Sequence, residues 1–158
     1  MDRTLIDRFE RGGATLRSAI EGLSEDDLRA KPGPGAWSIR ELVIHVLDSD
    51  LVAQDRMRRI VGMHKPLLIA YDENEYIKVL PYDALDLHLV CDVFEATRKL
   101  TAQMLRALPD EAFAREGVHN ERGIVTLGEL LEGYVWHVDH HMEFVRKKRE
   151  KLGKPMLG

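Results

Sequence analysis

His137 and His141 stand four residues apart, a spacing that on an α-helix puts two imidazoles on one face about a turn from each other. Neutral imidazole nitrogen is a preferred ligand for zinc, nickel and related cations, so the pair can share one divalent ion, and a rigid helix reduces the cost of ordering it. A third ligand has to come from another element. His45 is the best candidate, because it lies in a partly apolar stretch where an unpaired ring would otherwise need a buried partner. The competing possibility is that these are buried histidines satisfied by carboxylates. Asp48, Asp50 and Asp139 are near enough in sequence to be such partners, or to orient ligand imidazoles from behind.

The other histidines have less to recommend them. His140 is rotated about a quarter turn from His141 and points toward a neighbouring helix or solvent, while His64, His88 and His119 fall in loops or near helix ends without paired spacing. The chain shows no strand-borne serine elbow, no glycine-rich phosphate loop and no cysteine beside a histidine. Cys91 is the single cysteine, which rules out an intrachain disulfide and a thiolate-rich metal site; among Val90, Val93 and Phe94 it reads as a small core residue.

Four long amphipathic segments must position these groups, which predicts an all-α fold. The first runs from about Thr4 to Gly22 with Leu5, Phe9, Leu16 and Ile20 on one stripe, weakened at Gly12 and Gly13, where a bend or a close contact is expected. A short capped turn follows over Ser24 to Arg29, then a Pro/Gly loop from Lys31 to Ala36. The second long helix starts at the capping box Ser38-Ile-Arg-Glu41 and turns Ile39, Val43, Val46, Ala53, Met57 and Ile60 inward. The third spans about Ala84 to Leu108, with Leu87, Val90, Phe94, Thr101 and Met104 on its inner face. The fourth opens at the box Thr126-Leu-Gly-Glu129 and reaches about Leu152, with Leu127, Leu130, Leu131, Tyr134, Val138 and Val145 inward. The connections Met63 to Tyr82, with a short helix near Asp72 to Lys78, and Glu111 to Val125 are both long. They predict a single-domain four-helix bundle with crossovers rather than a simple up-down series.

Composition narrows the function. The chain has 158 residues, 44% hydrophobic and 32% charged, enough apolar matter for one core. Its formal charge of -4 and the lack of a recognition motif argue against nucleic acid as a partner. The basic cluster Arg146, Lys147, Lys148, Arg149, Lys151 and Lys154 reads as a solvated helix end complementing the helix dipole. With no apolar run long enough for a bilayer and a charged N-terminus unlike a secretory signal, a cytoplasmic protein without membrane partners is expected.

The stretch Ala36-Trp37-Ser38-Ile39-Arg40-Glu41-Leu42-Val43-Ile44-His45-Val46-Leu47-Asp48-Ser49 resembles the second-helix signature of the DinB/YfiT-like metalloproteins. Tyr71-Asp72-Glu73, the loop His119-Asn120-Glu121-Arg122-Gly123 and Tyr134-Val135-Trp136-His137-Val138-Asp139-His140-His141 are similar to the YfiT branch of that family. The resemblance implies a four-helix bundle with a long crossover, frequent homodimerisation, and a nickel or zinc ion held by His45, His137 and His141. The chain departs from the pattern at Asn120, where relatives often carry proline, and at Met142-Glu-Phe-Val145, where a polar residue commonly follows the last ligand.

Three neutral histidines leave an ion its full charge and an open position, as in catalytic sites. A metalloenzyme that activates water or a low-molecular-weight thiol against a small-molecule substrate is therefore expected, either a hydrolase or, as the resemblance also implies, a thiol S-transferase. Asp48, Asp139 and Glu143 could orient imidazoles or carry a proton, and Tyr134 could line the pocket or pack in the core. The alternative is a non-catalytic binding or stress-response dimer in which the metal fastens the second helix to the fourth.

Overall fold

The computed structural model describes residues 2–156. The elements are α1 (Thr4–Arg11), α2 (Thr15–Ile20), α3 (Glu25–Arg29), α4 (Ile39–Gly62), β1 (Leu67–Leu68), α5 (Glu73–Val79), α6 (Leu87–Ala107), β2 (Glu116–His119), β3 (Gly123–Thr126) and α7 (Leu127–Lys151). All three capping boxes form: Ser24, Ser38 and Thr126 each accept from the backbone N–H three residues on, while Asp27, Glu41 and Glu129 reach back. Each satisfies helix-end donors that would otherwise have no partner.

The chain is a four-helix bundle in which α1 with α2, α4, α6 and α7 are the four legs. The first leg breaks at Gly12–Ala14, a single 3₁₀ turn, because the glycines lie against α6. A Cβ on Gly12 would sit 2.7 Å from the Arg98 guanidinium, and one on Gly13 would sit 3.2 Å from the Glu95 Cα. Both the bend and the close contact expected there are present.

Cross-helix contacts fix the directions. Asp50 meets Arg98, Gln54 meets Thr101 and Arg58 meets Met104, so α4 and α6 are parallel neighbours. His45 faces His141 while Arg56 meets Tyr134, so α7 is antiparallel to α4. Arg106 pairs with Asp7 while Arg17, farther along the same leg, pairs with Asp92, so the first leg is antiparallel to α6. The bundle is thus up-down-down-up. Parallel neighbours cannot be joined by a tight turn, and α4, with 24 residues, is about 36 Å long. The long connection after α4 is the return path, carrying β1 and α5.

The second long connection is not irregular. It folds into the hairpin β2–β3, and β1 adds to β2 in parallel, giving a three-stranded sheet in the order β1-β2-β3. The sheet ties the crossover to the approach of α7. Asn120 donates its N–H to the Leu68 carbonyl and accepts from the Ala70 N–H at 2.7 Å, roles of which a proline could supply neither. Thr126 ends β3 and is also the N-cap of α7, so the hairpin runs into the helix without a linker.

The apolar interior falls into two clusters, one around Leu16, Ile39, Ile44 and Phe94, the other around Phe9, Met57, Ile60, Leu105 and Leu127. Buried polar side chains separate them. Arg98 and Asp50 are each 1% exposed; Arg98 donates from Nε (2.9 Å) and Nη2 (2.7 Å) to one Asp50 oxygen, and Gln54 donates to the other. The same guanidinium donates to the carbonyls of Phe9 and Tyr134 and lies between the Phe9 and Phe94 rings. The basic end of α7 is not uniformly solvated as expected: Arg149 is buried and donates to the carbonyls of Ser18, Ala19 and Glu21, the unpaired end of α2. Of the residues expected inward, Met104 is half-buried, with Leu105 taking the core position. Among the described residues no helix is long and apolar enough to cross a membrane.

Candidate metal centre

His45 on α4 meets His137 and His141 on α7 where the two antiparallel helices pack. Ring centroids are 5.3 Å apart for His45–His137, 4.8 Å for His45–His141 and 4.4 Å for His137–His141. One nitrogen from each ring lies within 4.8 Å of the others. That spacing brings the three imidazoles within reach of a single divalent ion. His45 is buried and the other two are half-buried, with Trp37 packed against His45 edge-on at 4.9 Å and stacked over His141 at 6.4 Å.

The electrostatics suit a cation. Burial pulls His45 down to about 4, burial and then the neighbouring histidines pull His137 down to about 3, and burial with the nearby His45 and His140 pulls His141 down to about 4. All three are therefore neutral at pH 7, with lone pairs free. His141 Nδ1 is buried without a hydrogen-bond partner among the described residues, a deficit that a histidine held in place by carboxylates would not show.

The carboxylates considered as partners are engaged elsewhere. Asp50 is occupied by Arg98 and Gln54, Asp48 accepts from the Tyr82 hydroxyl, Asp139 pairs with the exposed Arg8, and Glu143 pairs with Arg146. His140 is exposed as expected, stacked on Trp136 at 4.5 Å. His64 and His88 are not among the residues gathered here, and Cys91 is buried.

The histidines form one wall of a cavity of about 620 Å³. Three other lining residues have chemistry that the sequence pattern did not single out. His119 at the end of β2 is buried, and its Nδ1 accepts from the Glu121 N–H, which leaves the Nε2 proton as a donor. Arg56 is buried and donates to the Tyr134 hydroxyl at 2.9 Å and to the Ile69 carbonyl. Glu73, at the start of α5, is half-buried, and its negative charge acts on His141. The sheet brings His119 and the crossover brings Glu73 to the α4–α7 seam, while Arg56 is carried by α4 itself, about three turns after His45. Tyr134 is half-buried between the cavity and the core, its ring 6.1 Å from His137. Three neutral nitrogen donors at the wall of a roomy, partly polar cavity can hold a divalent ion and leave one side of it facing a reactant.

Comparison with known proteins agrees with this architecture. The DinB superfamily model matches residues 8–145. The protein named "Putative metal-dependent hydrolase OB0782" of Oceanobacillus iheyensis is 26% identical over 130 residues, 82% of this chain and 75% of that one. The Bacillus subtilis protein of the same description, YfiT, is 26% identical over 149 residues, 94% of this chain and 84% of its own. The solved YfiT structure, described as having an unusual four-helix bundle topology, superposes with a TM-score of 0.89 at 25% identity, covering 95% of this chain and 86% of that one. A DinB-like protein of B. subtilis shares the fold at a TM-score of 0.67 and 20% identity, covering 98% of this chain and 96% of its own. Since the superfamily match spans all four bundle legs, and the fold extends over nearly the whole of the YfiT chain, this chain belongs to the DinB superfamily as a YfiT-like member.

Proposed function

We propose that the chain is a metal-dependent hydrolase whose ion, zinc or nickel, is held by His45, His137 and His141. The observation that carries this is the convergence of three neutral imidazoles on a cavity of about 620 Å³, with His141 Nδ1 unpartnered. The relatives reported above carry the description "putative metal-dependent hydrolase", which supports the same reading. When bound, a divalent ion in such a site supplies Lewis acidity and makes water or a thiol nucleophilic near neutral pH.

The chain's own residues supply the rest. Trp37 packs against the imidazoles and limits water on that side. Glu73 lines the same cavity as the histidines and is the residue we assign to proton transfer there. A low-molecular-weight thiol as nucleophile is the second reading, favoured by a cavity with room for two reactants.

Metal analysis of the purified chain and of His45→Ala tests the site. About one ion per chain is expected, with stoichiometric metal lost in the variant; a variant that kept its metal would refute the three-histidine centre. Ester, amide and thiol-transfer screens of the loaded protein then separate water from thiol. Glu73→Gln is expected to keep the metal and lose about 10²-fold or more in turnover.

A further inference from the structure

We propose that Arg56, assisted by His119, is a carboxylate-binding subsite in the metal cavity, so that the substrate of this site is a small molecule carrying a carboxylate. The proposal deepens the functional reading above and rests on it for the word substrate.

The case begins with how buried arginines are satisfied. Four are buried among the described residues: Arg40, Arg56, Arg98 and Arg149. Arg98 has Asp50, and Arg40 has Glu25 together with two carbonyls. Arg149 lacks a carboxylate but donates to several carbonyls, including three at the end of α2. Arg56 has two acceptors, the Tyr134 hydroxyl and the Ile69 carbonyl, and no carboxylate within ion-pair distance among the described residues. Its Nε is buried without an acceptor. A guanidinium has five N–H donors and stays charged, so a buried one with two neutral acceptors is short of both hydrogen bonds and counter-charge.

The residue borders a cavity: the Nε–H itself is sealed from solvent and has no partner among the described residues, so the donors left for a ligand are the second hydrogens of Nη1 and Nη2. Arg56 is 7% exposed and lines the same cavity as the histidines. It is held rather than free, since its two bonds tie it to α7 and to the crossover, so a ligand meets a pre-positioned group. The Tyr134 ring that it contacts lies 6.1 Å from His137, so an anion held by Arg56 sits about one aromatic side chain from the histidine trio. His119 lines the wall too, with its Nε2–H free of the Glu121 bond and its own charging opposed by burial and by Arg56. It therefore adds a neutral donor beside the cation.

The ligand's shape follows from the donor. A planar carboxylate can lie along a guanidinium and accept from its remaining N–H groups, and Arg122 at the exposed hairpin tip with Glu73 and Glu121 leave the protein side of the wall near neutral before any ion is counted.

Succinate, its neutral diamide and inorganic phosphate are the probes, titrated into the full chain as purified and again after chelation, with ¹H–¹⁵N spectra reporting the Arg56 Nε–Hε signal. Succinate is expected to shift that signal in both states, the diamide to leave it unmoved, and Arg56→Gln to weaken succinate by about tenfold or more. His119→Gln is expected to weaken it by several-fold, and the wild-type arm stands even if Arg56→Gln fails to fold. Equal binding of succinate and diamide, succinate binding that vanishes on chelation, or phosphate binding more tightly than succinate would each overturn the proposal. A chain that loads metal but ignores succinate would refute this subsite and leave the metal reading intact, and one that binds succinate at Arg56 without loading metal would do the reverse.

Discussion

Replacing Asp50 by alanine removes the counter-ion of Arg98 while leaving the guanidinium where it is. Both side chains are 1% exposed, so water cannot take the place of the carboxylate, and Arg98 keeps only the Phe9 and Tyr134 carbonyls and two aromatic faces. Breaking a buried pair in this way costs about 3–5 kcal/mol, a large part of the roughly 5–15 kcal/mol that holds a domain folded. With a urea dependence of about 2 kcal/mol/M, the unfolding midpoint should fall by about 2 M, with little change in slope. Replacing both partners, as in Asp50→Leu with Arg98→Met, leaves no orphaned charge and should recover most of that loss. Equilibrium urea unfolding of the two variants beside the wild type gives the answer. A midpoint shift under about 0.5 M in Asp50→Ala, or a double variant no more stable than the single one, would show that the polar layer is not sealed as described.

Three further outcomes follow from particular side chains. The metal-free chain should lose stability as pH falls from about 6.5 toward about 4: His45, His137 and His141 have folded pKa values of about 4, 3 and 4, so the unfolded chain binds more protons across that window, and urea midpoints at pH 7 and 5 should differ less in His137→Gln. Cys91, buried and pushed up to about 11 chiefly by desolvation, should react with thiolate-selective reagents at pH 8 only as fast as the chain opens, and at the ordinary rate in denaturant. Asn120→Pro removes the two hydrogen bonds that join the hairpin to the crossover, so it should destabilise by about 1–3 kcal/mol in thermal or urea melts.

The helices were legible because their signals are local. Ser38 with Glu41 and Thr126 with Glu129 carry start signals within four residues, and His137 with His141 are paired by helical period alone. His45 was nominated by family resemblance more than by spacing, since nothing nearby fixes which residue of α7 it meets. The sheet was missed because β1 has two residues and the other strands four each, too short for an alternating pattern, and pairing Leu67 with Val118 is a long-range event. His119 was set aside for the same reason: its place in the cavity depends on the sheet. The two possibilities for the histidines could not be separated by sequence, because closeness along the chain does not say which way a helical side chain turns; Asp50 turns toward α6. Arg98 carried a usable sign, since it continues the inward row from Phe94 to Thr101, where a charge demands a partner.

The joint at Thr126 sets the phase of the last helix. Because this residue closes the hairpin and opens α7, the helix begins counting from a point pinned by the sheet, and His137 comes eleven residues later, close to three full turns. An added residue between them would swing both histidines by about 100° and carry them off the seam with α4. The same insertion at the hairpin tip leaves that count untouched and costs only the local contacts of Asn120 and Glu121. The eleven-residue interval from Thr126 to His137 is thus fixed by the metal seam in a way that the tip is not.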